Sequence, residues 1–249
     1  MEEAAAPLRY AAICKGCWQQ MHMPIPLRGL LSAPFRAVGI RPSRMNPNLC
    51  TICETMFERA MKARVVTLEA TVLFADLRGY TELSKSLASS AMQSLLDSFY
   101  DTCAAAIWRH DGLLNKTIGD GIMAVFNFPI KRGDHARQAL LAGREMQDRL
   151  ASALAGIAAS TAGTGAELGV GIGIDSGRLS FGEFGRSHRD LTAIGTVVNT
   201  AARAQAVARP GEILVTDAVH GQAIVELAGS PCRDYVLKGF DKPVGLYSA

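Results

Sequence analysis

The sequence predicts an α+β fold, a mixed β-sheet with packed helices, together with a small irregular module at the N-terminus. From about residue 68 onward, apolar strands, hairpin signals and long amphipathic helices alternate along the chain, which is the order expected of a mixed sheet with helices on its faces. Six of the ten prolines and four of the six cysteines lie in residues 1–56, which lack a sustained helical or alternating pattern. We therefore expect a Cys-rich module over 1–56, a linker or short helix over 57–67, and a globular domain over 68–249.

The elements of the globular domain follow in chain order. The apolar run 70–76 predicts a buried central strand, and residues 89–109 carry apolar side chains at helical spacing. Two apolar runs around a Gly-Asp-Gly turn predict a hairpin over 113–126. We further expect a helix over 131–158, a pair of strands over 168–177 and 178–185, a helix over 196–207, a strand over 212–216, a short helix, and terminal strands near 235–239 and 245–248.

Composition excludes several classes of protein. No run approaches the roughly 18–20 apolar residues that cross a bilayer, and two acids follow the first methionine where a secretory leader would be basic. The net charge of +3 is too small to indicate a nucleic-acid partner. We expect a cytoplasmic protein in which Cys103 and Cys232 lie in or near the core as small apolar residues, without a disulfide between them.

Two carboxylates of the globular domain are candidates for a metal site. Asp76 ends the central strand beside the predicted helix start at Gly79–Thr81, and Asp120 lies in the hairpin turn. If the two strands are neighbours, both carboxylates can share Mg²⁺ ions while the N–H groups of residues 77–81, including Tyr80, hold phosphates. The alternative is that Asp76 caps a helix and Asp120 only forms a turn.

Three separated segments decide between these alternatives. FADLRGYTELS, LNKTIGDGIMAVF and LTAIGTVVNTAARAQ resemble the signature segments of the class III nucleotidyl cyclase catalytic domain, in the same order, over about residues 68–249. The resemblance implies a ferredoxin-like core with additional elements that works as a head-to-tail homodimer. It also implies that Asp76 and Asp120 bind two Mg²⁺ or Mn²⁺ ions, with the carbonyl of Leu77 as a further ligand.

The same resemblance assigns the nucleotide-binding residues. Lys116 and Thr192 occupy the two positions that read the base, and Lys with Thr favours ATP and is typical of the bicarbonate-responsive branch of the family. Asn199 would orient the ribose and Arg203 would stabilise charge on the α-phosphate, whereas Lys238 corresponds loosely to a lysine that contacts the terminal phosphates. The implied activity is adenylate cyclase. The alternatives are a guanylate cyclase and a catalytically silent domain that binds nucleotide or a partner.

The N-terminal module carries two CxxC pairs, Cys14 with Cys17 and Cys50 with Cys53. Four thiolates can converge on one tetrahedral Zn²⁺ ion or hold an iron–sulfur cluster, and a Pro-rich segment with little core of its own needs such a staple. The alternative is that the thiols are free in a flexible extension. The segment between the pairs mixes basic and apolar residues, so it is suited to docking on the cyclase domain, a partner or a membrane surface.

Overall fold

The computed structural model describes residues 10–85, 88–160, 167–185 and 189–249. The strands are β1 (Val66–Arg78), β2 (Leu113–Ile118), β3 (Gly121–Phe126), β4 (Gly169–Phe184), β5 (Asp190–Ile194), β6 (Ile213–Thr216), β7 (Cys232–Tyr235) and β8 (Val244–Ser248). The helices are α1 (Lys15–Met21), α2 (Ala33–Ala37), α3 (Thr51–Ala63), α4 (Tyr80–Leu83), α5 (Ser89–Arg109), α6 (His135–Ser160), α7 (Thr196–Val207) and α8 (Asp217–Gln222).

One mixed sheet organises the molecule. Its strand order is β2-β3-β1-β4-β6-β8-β7, with β5 paired to β4 beside this path. The β4–β6 pair is parallel and the other pairs are antiparallel. The expected α+β fold, a mixed sheet with packed helices and a small module, is confirmed.

Side chains alternate along β1 between two cores. Leu73, Ala75 and Leu77 face the larger core, which the sheet forms with α5 and α6. Val72 and the partly buried Phe74 face the opposite side, where the core is closed by α7 and by apolar residues of α3. Because the side-chain period of a strand is two, Asp76 also points to this second side, which we call the α7 face.

The N-terminal module has a small core of its own. It contains Cys14, Cys17, Leu27, Leu49 and Cys50, and Ile130 from the loop after β3 completes it. Isolated bridges join Ile13 to Pro26 and Pro42 to Cys50. Among the described residues, no helix combines the length and the apolar character that crossing a membrane requires.

Most of the expected elements are confirmed. The central strand, the hairpin, and the helices over 89–109 and 196–207 lie where the periodicity predicts them. The strand 66–78 is longer than expected at both ends, so it includes the last residues of the expected linker. Helix α3 begins at Thr51 and runs across the expected boundary at 56/57, and the division into domains stays a prediction.

The expected strand pair over 168–177 and 178–185 is wrong. These residues form one continuous strand, β4, which pairs with β1 along its length. Gly177, at the expected break between the two strands, is paired with Ala70 and remains in the ladder. Strand β4 also pairs with β5, which was not expected to be a strand. The expected strand near 235–239 ends at Tyr235, and the helix expected from 131 begins at His135. Cys103 is buried as expected, but the core position expected for Cys232 is wrong, since Cys232 is exposed at the start of β7 at the edge of the sheet.

Candidate active site

Two carboxylates meet where β1 ends and β3 begins. Asp76 is paired with Gly121, and the N–H of Leu77 donates to the carbonyl of Asp120 over 3.2 Å. A Cβ at Gly121 would lie 3.0 Å from Oδ2 of Asp76, so this carboxylate lies against the glycine that follows Asp120. The neighbouring strands therefore bring Asp76 and Asp120 together, as the sequence predicts.

The electrostatics of this pair fit a divalent cation. Burial and the charge of Asp120 raise the pKa of Asp76 to about 6, and Arg78 opposes this shift only in part. Within the described residues, neither Asp76 nor Asp120 forms a salt bridge. Two adjacent carboxylates without a basic partner repel each other, and hard cations such as Mg²⁺ prefer carboxylate oxygens. The residues present therefore fit the metal site that the sequence predicts, and a ligand role for the Leu77 carbonyl stays a prediction.

A tight turn next to Asp76 presents the start of a short helix. Gly79 has φ 77° and precedes α4, and a Cβ there would lie 2.9 Å from the carbonyl oxygen of Glu167. Only glycine combines this backbone conformation with this close approach. Tyr80 and Thr81 form the first turn of α4, where backbone N–H groups have no acceptor within the helix. These groups lie a few residues from Asp76, as a phosphate-binding role requires.

The two base-reading candidates lie on neighbouring edges of the sheet. The Asn115 side chain donates to the carbonyl of Leu191 over 2.9 Å, and the hydroxyl of Thr192 donates to the Asn115 side chain over 3.4 Å. Lys116 follows Asn115 and forms an ion pair with Asp190. Lys116 and Thr192 are therefore brought to the same end of the molecule, by contacts between β2 and β5.

Asp190 is a residue that the sequence analysis missed. It is 55% exposed and lies two residues before Thr192 on β5, so both side chains project from the same face of that strand. No local signal in the sequence identifies it, because its partner Lys116 lies 74 residues away. Because its carboxylate holds the Lys116 ammonium, it is suited to orient that side chain.

Helix α7 presents the remaining candidates to solvent. Val197, Thr200, Ala201 and Ala204 are buried against the sheet. Asn199 and Arg203 are exposed and lie four residues apart, so they share the outer face of the helix. The helix is fixed in place because it crosses closely over Gly173, where a Cβ would lie 2.1 Å from the backbone nitrogen of Gln205.

Within a single chain, the predicted site residues form separate groups. Lys238 is exposed in the turn between β7 and β8. Within the described residues, no hydrogen bond or ion pair links the Asp76–Asp120 pair to Lys116, Thr192, Asn199, Arg203 or Lys238. Lys116 is paired with Met123, whose side chain lies in the core of the α7 face, so Lys116 projects to the same side of the sheet as Asp76. Asp76 and Lys116 thus project to one face of the sheet, but the described contacts do not join them into one site.

The family model for the adenylate and guanylate cyclase catalytic domain matches residues 65–241 of this chain. The chain belongs to this cyclase family. The match covers every active-site candidate from Asp76 to Lys238.

Solved cyclase structures share this fold. The adenylyl cyclase CyaB from P. aeruginosa is 29% identical, with a TM-score of 0.66 over 74% of this chain and 95% of its own. The guanylyl cyclase Cya2 is 26% identical, with a TM-score of 0.66 over 74% of this chain and 92% of its own. Both kinds of cyclase match this chain about equally well.

Curated relatives extend the comparison. An uncharacterized protein of Mycobacterium tuberculosis is 31% identical over 184 residues, which are 72% of this chain and 31% of the relative. An uncharacterized protein of Mycobacterium bovis is 33% identical over 180 residues, which are 70% of this chain and 31% of the relative. The chain therefore spans about a third of the length of the curated relatives it matches.

The four cysteines of the N-terminal module converge outside the cyclase site. The Sγ atoms of Cys17 and Cys53 are 3.5 Å apart, and the pairs Cys14–Cys53 and Cys17–Cys50 are each 3.6 Å apart. All four sulfurs lie within 4.8 Å of one another. A disulfide has sulfurs about 2.05 Å apart, so these contacts are not disulfides. Position 16, between Cys14 and Cys17 in the sequence, requires glycine, since a Cβ there would lie 2.8 Å from the Cys53 sulfur.

The sulfur geometry fits one tetrahedral ion. A Zn–S bond of about 2.3 Å gives a tetrahedron with sulfurs about 3.8 Å apart, close to the observed separations. In a multi-iron cluster the thiolates bind different irons and lie further apart than around one ion. The N–H groups of Cys17 and Cys50 donate to the Cys14 sulfur over 3.4 and 3.2 Å, as thiolate ligands require.

The module is joined to the cyclase domain by a buried carboxylate. Asp111 is 2% exposed and accepts from the Lys15 ammonium over 2.6 Å and from the Arg132 guanidinium over 2.9 Å. The Asn48 side chain donates to Asp111 over 2.9 Å, and the Asn46 side chain donates to the Gly112 carbonyl over 2.8 Å. Lys15 lies between two of the cysteines, so these contacts connect the cysteine cluster to the residues that begin the β2–β3 hairpin.

Proposed function

We propose that the chain is an adenylate cyclase, which converts ATP to 3′,5′-cyclic AMP and pyrophosphate at the interfaces of a head-to-tail homodimer. The observation that carries this proposal is the convergence of Asp76 and Asp120 at adjacent strand ends. The separation of the site candidates supports the homodimer, because Lys116 projects to the same face as Asp76 while no described contact joins the two. A second chain facing it would bring Lys116, Thr192, Asn199 and Arg203 to the carboxylates of the first.

In this mechanism the 3′-hydroxyl oxygen of ATP forms a bond to the α-phosphorus, and the bond from that phosphorus to the oxygen bridging to the β-phosphate breaks. The hydroxyl proton passes to solvent, and pyrophosphate leaves. Divalent ions bound by Asp76 and Asp120 would supply Lewis-acid activation of the hydroxyl and charge neutralisation on the phosphates. Arg203 would stabilise the charge that grows on the α-phosphate, since its guanidinium stays charged and can bridge two oxygens.

The remaining residues position the substrate. The N–H groups at Tyr80 and Thr81 would hold phosphate oxygens, and Lys238 would contact the terminal phosphates. Asn199 would orient the ribose so that the hydroxyl lies in line with the leaving oxygen. Lys116 and Thr192 would read the adenine edge, and the hydrogen bond between Thr192 and Asn115 supports this pairing.

The central experiment measures cyclic nucleotide production by purified protein with Mg²⁺ or Mn²⁺. Asp76→Ala and Asp120→Ala should each abolish turnover, because each leaves the metal site with a single carboxylate. Asp148→Ala is the matched control, since Asp148 is an exposed carboxylate of α6 outside the site and its loss should leave activity unchanged. Substantial product from either site variant contradicts the assignment.

A mixing experiment tests the homodimer. Asp76→Ala and Arg203→Ala each damage one half of every site, so each variant alone should be inactive. Mixed in equal amounts, they should recover about one quarter of the wild-type activity, because half of the randomly paired dimers are mixed and each mixed dimer has one intact site of two. No recovery from a sample that exchanges subunits would contradict head-to-tail sites.

Guanylate cyclase activity is the nearest alternative, and the likeness to the guanylyl cyclase Cya2 favours it. Parallel assays with ATP and GTP decide between the two, and preferential cyclic GMP production would replace our proposal. Wild-type protein that binds nucleotide but turns over neither substrate would indicate a silent binding domain.

We also propose that the cysteine module binds one Zn²⁺ ion and regulates the cyclase by holding the base of the β2–β3 hairpin. A colourless preparation with one zinc per chain is the expected result, whereas visible absorbance with iron and sulfide would indicate a cluster. Cys17→Ser should lose the metal and lower cyclase activity, and Cys232→Ser, which changes an exposed cysteine outside the cluster, should do neither. Full activity in the metal-free Cys17→Ser variant would exclude regulation through the metal.

ATP as substrate and reduced thiols both support a cytoplasmic location.

A further inference from the structure

The N-terminal module has a segment, residues 29–41, that projects apolar side chains into solvent, and we call this segment the tip. Leu30 is 95% exposed, Leu31 is 77% exposed and Val38 is 74% exposed. A Cβ placed on Gly29 or Gly39 would find no atom within 4 Å, so the backbone at both ends of the tip also stands clear. One exposed leucine is ordinary, but three large apolar side chains projecting from one short segment indicate an interaction surface.

The tip is held in a defined shape. Ser32 is buried and its hydroxyl donates to the carbonyl of Gly29 over 2.7 Å. Phe35 packs inward on the module core, and the N–H of Ile40 donates to the Phe35 carbonyl over 2.9 Å. The side chain of Thr51 donates to the carbonyl of Gly39 over 3.0 Å. The fold therefore anchors the inner side of the tip and presents the outer side.

The charged residues of the segment that carries the tip have one sign. Residues 4–53 contain no Asp or Glu, and residues 10–53 contain five Lys and Arg residues. Arg28 is committed to the carbonyls of Ala11 and Pro47. In contrast, Arg36, Arg41 and Arg44 are exposed and form no ion pair within the part of the chain that the structure describes. Three unpaired cations thus accompany the apolar side chains.

We propose that the tip docks the protein on an anionic phospholipid surface, with Leu30 and Leu31 inserted among the headgroups and the arginines on the lipid phosphates. A stable protein partner usually covers about 800 Å² per side, more than a few projecting side chains provide. A bilayer needs only inserted apolar side chains and nearby cations, whose contributions combine. This inference does not depend on the proposed cyclase reaction.

The experiment is co-sedimentation of the full chain with vesicles of phosphatidylcholine alone or mixed with phosphatidylserine. Wild-type protein should bind the mixed vesicles, and high salt should release it. Replacing Leu30 and Leu31 together by Ser should weaken binding at least about tenfold, because both side chains lose their insertion. Replacing Arg36 and Arg41 together by Gln should weaken binding to mixed vesicles by a similar factor and leave any weak binding to phosphatidylcholine unchanged.

The matched control replaces Ile224 and Val225 together by Ser. This adjacent pair is 55% and 83% exposed on the cyclase domain, so its loss removes comparable apolar surface and should leave vesicle binding unchanged. Circular dichroism and thermal melts should match wild type for all three double variants. Absence of wild-type binding to mixed vesicles, or full binding by the Leu30/Leu31 variant, overturns the proposal. A change of oligomeric state in the Leu30/Leu31 variant without lipid also overturns it, since the tip would then contact a second copy.

Discussion

The replacement Asp111→Asn tests how the cysteine module is attached to the cyclase domain. The Asp111 side chain is 2% exposed and accepts from Lys15, Arg132 and Asn48. Its backbone has φ 61°, in the left-handed region that Asn also adopts. Asp111→Asn therefore removes the charge while it preserves the size of the side chain and the turn.

The expected loss of stability in Asp111→Asn follows from the burial of the Asp111 side chain. Removing one partner of a fully buried ion pair costs about 3–5 kcal/mol, because the other charge is left uncompensated. Here the side chains of Lys15 and Arg132 are 34% and 33% exposed, so water screens part of that cost. We expect the free energy of unfolding to fall by about 2–3 kcal/mol, which lowers Tm by about 4–12 °C for a chain of this size.

Thermal and urea unfolding measure this change, with Asp134→Asn as the matched control. Asp134 accepts from the same Arg132 over 2.8 Å, but its side chain is 38% exposed. An exposed pair contributes less than about 1 kcal/mol, so the control should change Tm little. If Asp111→Asn is no more destabilising than Asp134→Asn, apolar contacts rather than the buried carboxylate hold the module in place.

Three further predictions concern the cyclase domain. Gly173→Ala should destabilise it by more than about 3 kcal/mol, because the new Cβ would lie 2.1 Å from the Gln205 nitrogen and 2.3 Å from the Ala201 carbonyl oxygen. Gly143→Ala is the control, since its Cβ would meet nothing closer than 3.5 Å, and it should be neutral or slightly stabilising. Equal melting temperatures for the Gly173→Ala and Gly143→Ala variants would refute the close packing of α7 on Gly173. Burial lowers the pKa of His135 from its ordinary 6.5, so the unfolded chain binds this proton at a higher pH than the folded chain. The contribution of neutral His135 to stability should therefore fall as pH drops below about 6.5, against the opposite trend from Asp76, whose pKa is raised to about 6. The difference in Tm between wild type and His135→Gln should change over this pH range, and a difference independent of pH would refute the prediction. Asp190→Asn should raise the KM for nucleotide, because Lys116 loses its partner. The free energy of unfolding should change by less than about 1 kcal/mol, since the pair is exposed. An unchanged KM would contradict a positioning role for Asp190.

Local periodicity predicted the elements that bury one face along their whole length. Helix α7 begins and ends where its small apolar residues predict, and the hairpin that carries Lys116 and Asp120 lies at the expected residues. The proximity of Asp76 and Asp120 was also predictable, since Asp76 lies near the end of β1 and Asp120 directly precedes the neighbouring strand β3.

Long-range pairing decided the elements that the sequence analysis placed wrongly. The Asp-Ser-Gly segment at 175–177 has turn-forming residues, yet pairing of Gly177 with Ala70 keeps it within β4. The ladder with β1 extends over both sides of this glycine, so tertiary contacts override the local preference. The helices α1 and α2 of the module were not predicted for a different reason, because they are only seven and five residues long and too short to show an apolar stripe.

Two important carboxylates were invisible because their partners are distant in sequence. Asp111 binds a lysine 96 residues away, and Asp190 binds a lysine 74 residues away. The His-Asp-Gly sequence at 110–112 marks a turn but says nothing about which cation will meet the aspartate. Such pairings depend on how the module and β5 dock, which no local pattern encodes.

The β2–β3 hairpin connects these observations. Its base is held by the module through Asp111 and Gly112, its turn carries Asp120, and Lys116 lies between them. All six residues of β3 are buried, so the ladder is a rigid element about 20 Å long. A change at the cysteines that shifted the base of the hairpin would therefore move Asp120, the proposed metal ligand, and Lys116, the proposed base-reading residue, together. Because these two side chains would serve different sites of the homodimer, one module would influence both sites at once, and loss of the metal should alter kcat and KM in the same experiment.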